Sequence, residues 1–310
     1  MAVLEVRNLK KSYGGTRAVD GISFSIEAGE VVGLLGPNGA GKSTTIDIIA
    51  TILQPDEGEV VIHGDITSRR SDYKYHLGYV PQEISLNEKL TAQENLRFVG
   101  RLYDFHGDDL RQRVEESLRS VGLIDRARDV VATFSGGMKR RLNIAAALVH
   151  RPDVVLMDEP TVGVDPHARA YIFDIVERLA EEGRAILYTT HYMEEAQRLC
   201  GRTAIIDRGR IVAVGTLEEL INLVKARRIV TLKADGLSNE NVAALAHRLG
   251  DVGWSIENSS AMLSLNDGRG GLVEVLQAAH EEGLRITGAG IHEPTLENVF
   301  LELTGHALRD

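Results

Sequence analysis

Apolar and polar positions in the first part of the chain follow patterns typical of an α/β domain. Residues 4–9, 21–26 and 30–35 have strand patterns, and residues 31–35 form a continuous apolar run. A run of this kind predicts a strand that is buried on both faces. Residues 42–49 have helical spacing, so this part of the chain is predicted to form a strand, a glycine-rich loop and a helix.

The next part of the chain, from about residue 87 to 150, has mostly helical patterns. Thr91 and Glu94 have the spacing of a capping box at the start of its first helix. The elements predicted after it are a strand over 154–157, a helix over about 167–182, a strand over 185–189 and a hairpin over 204–207 and 211–215. Helices alternating with buried strands predict a mainly parallel sheet.

The pattern changes near residue 227 and predicts a second, smaller domain. Its predicted elements are a strand over 229–233, a helix over 239–249, strands over 254–257 and 261–265, a helix over 271–282, a strand over 285–291 and a helix over 295–303. We therefore predict a first domain over residues 1–222, with a helical subdomain over about 87–150, and an α+β domain over 228–310. About 80 residues are enough for a separate domain.

Composition narrows the classes of partner and compartment. The 310 residues include 45 acidic and 35 basic side chains, a net charge of −10, which argues against nucleic acid as the main partner. The single cysteine, Cys200, cannot form an internal disulfide, as is usual in a reducing cytoplasm. No apolar stretch approaches the roughly 20 residues of a membrane-spanning helix. We expect a cytoplasmic chain that reaches a membrane only through a partner.

The glycine-rich loop after the first buried strand matches the P-loop pattern G-x-x-x-x-G-K-[ST]. Its residues are Gly36, Pro37, Asn38, Gly39, Ala40, Gly41, Lys42 and Ser43, with Thr44 next. Small residues let successive backbone N–H groups point at phosphate oxygens, and the start of the helix adds its positive dipole end. Lys42 supplies a charge for the outer phosphates and Ser43 a hydroxyl for Mg²⁺. The motif predicts ATP and Mg²⁺ as ligands.

Two carboxylates, Asp158 and Glu159, follow the second buried strand. Open α/β sheets bind their ligands at the carboxyl ends of the strands. Asp158 is therefore expected to hold Mg²⁺ directly or through water, and Glu159 to act as general base or to orient the attacking water. An Asp-Glu pair after a strand is equally common in solvated loops, so this interpretation depends on the P-loop upstream.

Residues 133–141, Thr-Phe-Ser-Gly-Gly-Met-Lys-Arg-Arg, resemble the signature of ABC (ATP-binding cassette) ATPases, whose usual form is Leu-Ser-Gly-Gly-Gln. Further motifs follow the order of that family: Tyr13 resembles the A-loop aromatic, Gln82 the Q-loop residue, residues 160–166 the D-loop and His191 the switch histidine. The resemblance covers residues 1 to about 217. It implies a P-loop ABC ATPase fold, with a RecA-like core, an antiparallel β subdomain and a helical subdomain, here followed by the α+β domain.

The resemblance also implies roles for these residues. Tyr13 would stack on adenine, and His191 would hydrogen-bond the γ-phosphate. Catalysis is assigned to Glu159, His191, Lys42 and Gln82, and Mg²⁺ binding to Ser43, Gln82 and Asp158. The signature residues Ser135, Gly136, Gly137 and Met138 would contact the ATP of another copy, and Gly163 and Asp165 would belong to the D-loop. A head-to-tail homodimer around two ATP molecules is therefore expected.

The motifs depart from their usual forms at three positions. Phe134 replaces a leucine and Met138 a glutamine in the signature, and Val162 replaces a serine in the D-loop. Ser135 and both signature glycines, which would touch phosphate, are kept. We therefore expect ATP hydrolysis to be retained.

Residues 292–305 resemble the ending of ATPase subunits of ABC-2-type exporters, the group of daunorubicin-resistance and sodium-exporter ATPases. Leu296, Val299, Phe300 and Leu303 share a helical face, but a helix packing within its own domain explains that spacing equally well. The resemblance alone implies a separate ABC-2-type permease and a peripheral location at the inner face of the cell membrane. A short permease helix would dock between the Gln82 loop and residues 87–103.

Other functions remain open at this point. A soluble ABC ATPase of ribosomes or DNA is disfavoured by the single cassette, the acidic balance and the lack of heptads. An importer ATPase with a ligand-sensing tail is compatible with the α+β domain, although the final motif favours export. A small-molecule kinase with a P-loop would leave the signature and His191 unexplained. Residues 228–291 predict no chemistry, so a regulatory or dimer-supporting role is expected there, and the transported substrate is not encoded.

Overall fold

The computed structural model describes residues 2–224, 228–250, 252–257, 260–265 and 271–305. Within these ranges, no helix combines the length and the apolar content that a membrane span requires.

The chain forms two compact units, the first ending at Leu217 and the second beginning at Glu218. The predicted domains end at residue 222 and begin at residue 228. The division between the two units lies a few residues earlier, so most of helix 217–224 belongs to the second unit.

The elements are numbered in chain order. The strands are β1 (Ala2–Tyr13), β2 (Thr16–Glu27), β3 (Val31–Leu35), β4 (Glu57–Ile62), β5 (Ile66–Thr67), β6 (Leu77–Val80), β7 (Val154–Asp158), β8 (Ala185–Thr190), β9 (Arg202–Asp207), β10 (Arg210–Gly215), β11 (Arg228–Asp235), β12 (Gly253–Glu257), β13 (Ser260–Leu265) and β14 (Arg285–His292). The helices are α1 (Lys42–Ile49), α2 (Ala92–Leu102), α3 (Gly107–Ser120), α4 (Gly136–Leu148), α5 (Pro166–Glu181), α6 (Met193–Leu199), α7 (Leu217–Val224), α8 (Asn239–Arg248), α9 (Leu272–Glu281) and α10 (Leu296–Thr304).

The central sheet of the first unit has the order β10-β9-β3-β8-β7-β6. Strands β9, β3, β8, β7 and β6 run parallel, and β10 pairs antiparallel with β9. The loops that follow β3, β6, β7 and β8 therefore leave the sheet at the same edge. These loops carry the P-loop, Gln82, Glu159 and His191.

The sheet is covered on both faces, as its continuous apolar strands predict. In β7, Val155 and Met157 pack into a core shared with helices α2 to α5, whereas Val154 and Leu156 pack into a second core with α1 and the antiparallel strands. The alternation of side chains along a strand sends them to opposite faces. The predicted α/β core is confirmed.

An antiparallel sheet of order β2-β1-β4-β5 lies beside this core. Its strands β1 and β2 extend beyond the predicted segments at both ends. The sequence pattern predicts neither β4 nor β6, because each is short and contains a glycine, Gly58 or Gly78, that weakens the strand signal.

The helical part consists of α2, α3 and the signature helix α4. The predicted capping box is present at the start of α2: Thr91 accepts from the backbone N–H of Glu94, and the Glu94 carboxylate accepts from the backbone N–H of Thr91. These helices pack against the sheet through buried side chains, among them Leu96, Val114 and Leu142.

The second unit contains β11, α8, β12, β13, α9 and β14 in chain order. Its antiparallel sheet has the order β12-β13-β11-β14, which is the ferredoxin-like β-α-β-β-α-β arrangement. Val242 and Val275, from α8 and α9, pack on Val230 and Leu263 of the sheet. The predicted α+β fold of this part is confirmed, and its elements lie within a few residues of the predicted bounds.

Candidate nucleotide-binding site

A cavity of about 440 Å³ opens at the sheet edge where β3, β6, β7 and β8 end. Its lining includes most of the predicted P-loop, namely Asn38, Gly39, Gly41, Lys42, Ser43 and Thr44. Gln82, Glu159 and His191, each from a different loop, line the same cavity, together with Ala18 and Val162. The parallel sheet thus brings together residues that lie far apart in the sequence.

The P-loop is fixed against strand β2 and the β9–β10 hairpin. Gly41 has a φ of 106° and stands at the start of α1, and a Cβ at this position would collide with the carbonyl oxygen of Ala18. The Gly209 N–H in the hairpin donates to the Ala40 carbonyl at 2.9 Å. Only glycine combines this backbone conformation with so close an approach to the Ala18 carbonyl, so this position of the loop requires glycine.

Lys42 lies at the base of the cavity with its side chain 4% exposed. Its Nζ donates to the carbonyl oxygens of Gly36 at 2.8 Å and Pro37 at 3.2 Å, and lies 3.3 Å from Glu159 Oε1. The ammonium group therefore stands between the P-loop and the carboxylate at the end of β7, where an anionic ligand would meet it.

The two carboxylates after β7 are held by one hydroxyl on the neighbouring strand. Thr189 Oγ1 donates to Asp158 Oδ1 at 2.6 Å and accepts from the Glu159 N–H at 3.0 Å. Burial raises the pKa of Asp158, and the charge of Glu159 adds to the rise, although the Thr189 hydrogen bond opposes it. A cation at this place would offset the cost of burying the Asp158 charge.

Glu159 has a left-handed backbone conformation, with φ at 43°. Such a conformation is unfavourable for a side chain of this kind and is concentrated at functional sites. Its Oε2 lies 3.2 Å from Nδ1 of His191, while Oε1 faces Lys42. The carboxylate therefore contacts a base from one loop and a cation from another, inside the cavity.

The Gln82 loop is tied to the signature helix α4. The buried Arg140 donates through its guanidinium to the carbonyl oxygens of Pro81 at 3.0 Å and Gln82 at 2.6 Å. Burial lowers the pKa of this guanidinium. Two hydrogen bonds therefore join α4 to the loop that carries Gln82.

The signature residues form the start of α4, away from the cavity lining. Ser135 caps the helix, its Oγ accepting from the Met138 N–H at 3.3 Å, and both Ser135 and Gly136 are exposed. Gly137 is buried because α4 packs on α5: a Cβ there would lie 2.6 Å from the Cβ of Ala168. The exposed helix start leaves backbone N–H groups facing solvent.

The D-loop joins β7 to α5. Asp165 caps α5 and accepts from the Ala168 N–H at 3.0 Å, and Gly163 has a φ of 74°. Within this loop, Val162 lines the cavity.

Tyr13 ends strand β1 with 48% of its surface exposed, and the cavity lining among the described residues does not include it. The structure therefore gives the predicted stacking of Tyr13 on adenine no direct support.

Comparison with known proteins places these features in a family. The family described as ABC transporter matches residues 19–162. The linearmycin resistance ATP-binding protein LnrL of Bacillus subtilis (strain 168) is 42% identical, over 99% of this chain and 100% of that protein. The chain belongs to the ABC transporter family.

Other ABC relatives match over nearly the whole chain. The daunorubicin/doxorubicin resistance ATP-binding protein DrrA of Streptomyces peucetius is 39% identical over 99% of this chain and 94% of that protein. The Nod factor export ATP-binding protein I of Cupriavidus metallidurans is 36% identical over 100% of this chain and 99% of that protein. The predicted group of resistance and export ATPases is confirmed.

Solved ABC structures match about 70% of the chain. An ATP-binding subunit of an ABC transporter shares 32% identity with a TM-score of 0.64, covering 71% of this chain and 92% of that one. A dimeric ATP-binding cassette, bound to ADP and phosphate after hydrolysis, shares 29% identity with a TM-score of 0.61, covering 69% of this chain and 98% of that one. The chain is thus an ATP-binding subunit with the ATPase activity of its family, and the predicted fold is confirmed.

Some residues of this ABC cassette hold other side chains of the site in place, and the sequence patterns do not predict them. Thr189 is one, and Glu195 on α6 is another. Glu195 is 2% exposed; Thr161 in the D-loop donates to its Oε1 at 2.7 Å, and Tyr188 and Thr190 donate to its Oε2, each at 3.0 Å. A buried carboxylate with three hydroxyl donors joins the D-loop to the segment that carries the switch histidine. Its local sequence, an acidic residue in a first helical turn, resembles an ordinary capping position.

Proposed function

We propose that this subunit hydrolyses MgATP to drive export through a separate ABC-2-type permease, as a head-to-tail homodimer at the inner face of the cell membrane. The observation that carries the proposal is the match, over nearly the whole chain, to proteins named for drug resistance and for Nod factor export. This likeness extends over 99–100% of the chain, whereas the solved cassettes above cover 69–71% of it.

The oxygen donors around the cavity suit Mg²⁺. Ser43 offers a hydroxyl and Gln82 an amide oxygen from the lining. Asp158 is not part of the lining, but it offers a buried carboxylate at the end of β7, next to Glu159. Mg²⁺ prefers oxygen ligands and is usually held by one or two protein groups together with substrate phosphates. The ion would neutralise charge on the outer phosphates. Asp158 would bind the ion, and the charge of the ion would offset the cost of burying the Asp158 carboxylate.

The contacts of Glu159 support a role in acting on the attacking water. Its carboxylate lies in the cavity between Lys42 and His191, at 3.3 Å and 3.2 Å. Phosphoryl transfer depends mainly on positioning and charge neutralisation. We assign Lys42 to the phosphates, Glu159 to the orientation of the water and acceptance of its proton, and His191 to holding Glu159 and sensing the γ-phosphate.

A second copy would complete the site. The exposed helix start at Ser135 and Gly136 is a ready anion site, yet it does not line the cavity of its own chain among the described residues. Head-to-tail pairing would bring the signature of one copy to the P-loop of the other, in an isologous arrangement. The exposed Gly163 of the D-loop would lie at the same interface.

A groove in the first unit is a candidate docking site for a short helix of the permease. It has a volume of about 390 Å³, and its lining includes Tyr79 and Pro81 beside the Gln82 loop and Val99 and Tyr103 of α2. Aromatic and aliphatic side chains of this kind suit the apolar face of a short helix. A helix in this groove would contact the loop that carries Gln82 and so sense the state of the ATP site.

The test combines dimer formation with turnover in purified chain. In Glu159→Gln, ATP should still bind, turnover should fall by at least about 100-fold, and ATP should produce a stable dimer by light scattering. Glu181→Gln, an exposed carboxylate at the end of α5, is the matched control and should behave as wild type. Normal turnover in Glu159→Gln, or a monomer at saturating ATP, would contradict the proposal.

The export assignment needs a separate test. Co-expression with the permease of six or so apolar spans, expected to be encoded beside this gene, should recruit the chain to membranes. Val99→Asp in the groove should abolish the recruitment and leave ATP binding by the purified chain unchanged. Recruitment that survives this change would exclude the groove as the docking site.

A further inference from the structure

Two histidines and an aspartate from distant parts of the sequence meet on the first unit, apart from the ATP cavity. Asp153 Oδ2 lies 2.6 Å from Nδ1 of His76 and 3.2 Å from Nε2 of His63. One potential ligand atom of each residue lies within 4.8 Å of the others. The two imidazole rings meet edge to face, with their centroids 5.6 Å apart.

Backbone pairing holds two of these residues in place. His76 and Asp153 immediately precede the parallel strands β6 and β7, whose register pairs Leu77 with Val154. The His76 carbonyl oxygen accepts from the N–H groups of both Asp153 and Val154, at 3.1 Å and 2.9 Å. The separation of the two side chains is therefore set by the sheet.

His63 approaches from the turn after β4. Its φ is 51°, and its N–H donates to the Val3 carbonyl at 2.9 Å, which fixes the turn on strand β1. A left-handed conformation at a residue other than glycine is unfavourable and tends to occur where a side chain must be aimed. This conformation directs the His63 imidazole at Asp153.

The cluster is open to solvent. All three side chains are partly exposed, at 43% for His63, 29% for His76 and 46% for Asp153. An ion from solvent could therefore reach the cluster and keep water as a further ligand.

We propose that His63, His76 and Asp153 form a binding site for a divalent transition-metal ion, best suited to Zn²⁺. Imidazole nitrogen with one carboxylate oxygen is a donor set that Zn²⁺ takes, whereas Mg²⁺ and Ca²⁺ prefer oxygen alone. The predicted ATP-site donors are all oxygen, so the two sites select different ions.

Two of the three distances between ligand atoms are close to those that the ion needs, and the third is within 4.8 Å. Ligand bonds of about 2.0–2.1 Å in a tetrahedral arrangement place ligand atoms roughly 3.3 Å apart. The His63–Asp153 separation already has this value, and the His76–Asp153 pair needs to open by roughly 0.7 Å.

The ion would link the antiparallel sheet to the central sheet. His63 belongs to the turn between β4 and β5, while His76 and Asp153 begin β6 and β7. The same two strands lead, at their other ends, to the Gln82 loop and to Asp158. Bound Zn²⁺ should therefore stabilise the first unit and raise its melting temperature.

The experiment uses the full, untagged chain without nucleotide, stripped of metal and titrated with Zn²⁺ by calorimetry. We expect one ion per chain. His63→Ala, His76→Ala and Asp153→Asn should each weaken binding by more than the 10- to 100-fold typical for loss of a group that only supports a ligand. His106→Ala, an exposed histidine of the same unit, is the matched control and should leave affinity unchanged, as should Glu159→Gln in the ATP cavity.

A measurement on wild type makes the test independent of how well the variants fold. Zn²⁺ should shift the ¹⁵N resonances of Nδ1 of His76 and Nε2 of His63, and leave those of His106 in place. Unshifted His63 and His76 resonances at saturating Zn²⁺, or full affinity in the folded His63→Ala/His76→Ala double variant, would show a hydrogen-bonded histidine pair only and overturn the proposal. Neither result depends on ATP hydrolysis, so failure here leaves the proposed function untouched.

Discussion

The buried carboxylate of Glu195 offers a sharp test of how the D-loop and the switch segment are coupled. The Glu195→Gln variant keeps the size of the side chain but removes its charge and turns one acceptor oxygen into a donor. Thr161, Tyr188 and Thr190 all donate to this carboxylate. The variant therefore forces at least one of the hydroxyls to rearrange.

The magnitude follows mainly from the three hydrogen bonds, with a smaller part from the ion pair with Arg169, whose Nε lies 3.6 Å from Oε1. A bond to a charged group contributes about 1.5–3 kcal/mol and a neutral bond about 1 kcal/mol, so three bonds lose several kcal/mol at most. Part of this loss is returned, because a neutral amide costs less to bury than a carboxylate. A net loss of about 1–3 kcal/mol is expected, which lowers the Tm by about 2–4 °C for each kcal/mol in a unit of this size.

Glu195→Gln should change kcat more than it changes the KM for ATP. The network lies behind the D-loop and His191, and the P-loop contacts of Lys42 do not involve it. We expect the KM for ATP to stay within about twofold, while kcat falls by about 10- to 100-fold, because small displacements of positioned groups cost rates of this order. Steady-state ATPase kinetics and thermal melting measure the two effects on the same samples.

The matched control is Glu194→Gln, which changes the adjacent, exposed carboxylate of the same helix. It should change neither kcat nor Tm. A Glu195→Gln variant with a lowered Tm but normal kcat would show that Glu195 only stabilises the fold and would refute its positioning role. A double-mutant cycle with Thr161→Val should give a coupling energy of about 1 kcal/mol, and strict additivity would exclude the D-loop as its partner.

Two further predictions concern buried groups next to strand β6. Arg140→Met removes the donors to the Gln82 loop and should cost about 1–3 kcal/mol for the Gln82 carbonyl, with a fall in kcat, whereas the Pro81 carbonyl keeps the Asn143 amide as a donor at 3.4 Å. The neighbouring variant Lys139→Met, which loses only an exposed ion pair, should stay near wild type in both melting and ATPase assays. Burial lowers the pKa of His150 to about 4, while its Nε2–H donates to the carbonyl of Leu77. The unfolded chain, with a His pKa of about 6.5, therefore binds more protons between pH 6.5 and 4, and stability should fall by about 3 kcal/mol as the pH decreases through this window. Denaturant titrations should show a smaller fall in His150→Gln, and an equal fall would assign the effect to other groups.

The sequence by itself determined the features that depend on short stretches of chain. The P-loop lies between a buried strand and a helix within about fifteen residues; its glycines act through their own backbone, and Lys42 adds a side chain from the same short stretch. The capping box at Thr91 and the helix start at Ser135 are likewise local. Asp158 and Glu159 could be placed at a strand end because an apolar run precedes them. Such features survive any arrangement of the remaining chain.

The tertiary structure alone decided which distant residues meet. Thr189 supports the two carboxylates only because β7 and β8 pair with Asp158 beside Thr189, a register that no local pattern encodes. The pairing of Leu77 with Val154 likewise brings His76 to Asp153. Side chains such as Glu195 gain their roles from hydroxyls that lie far away in sequence. Sheet order and register are set by burial of whole faces, so they emerge only when all the strands are packed together.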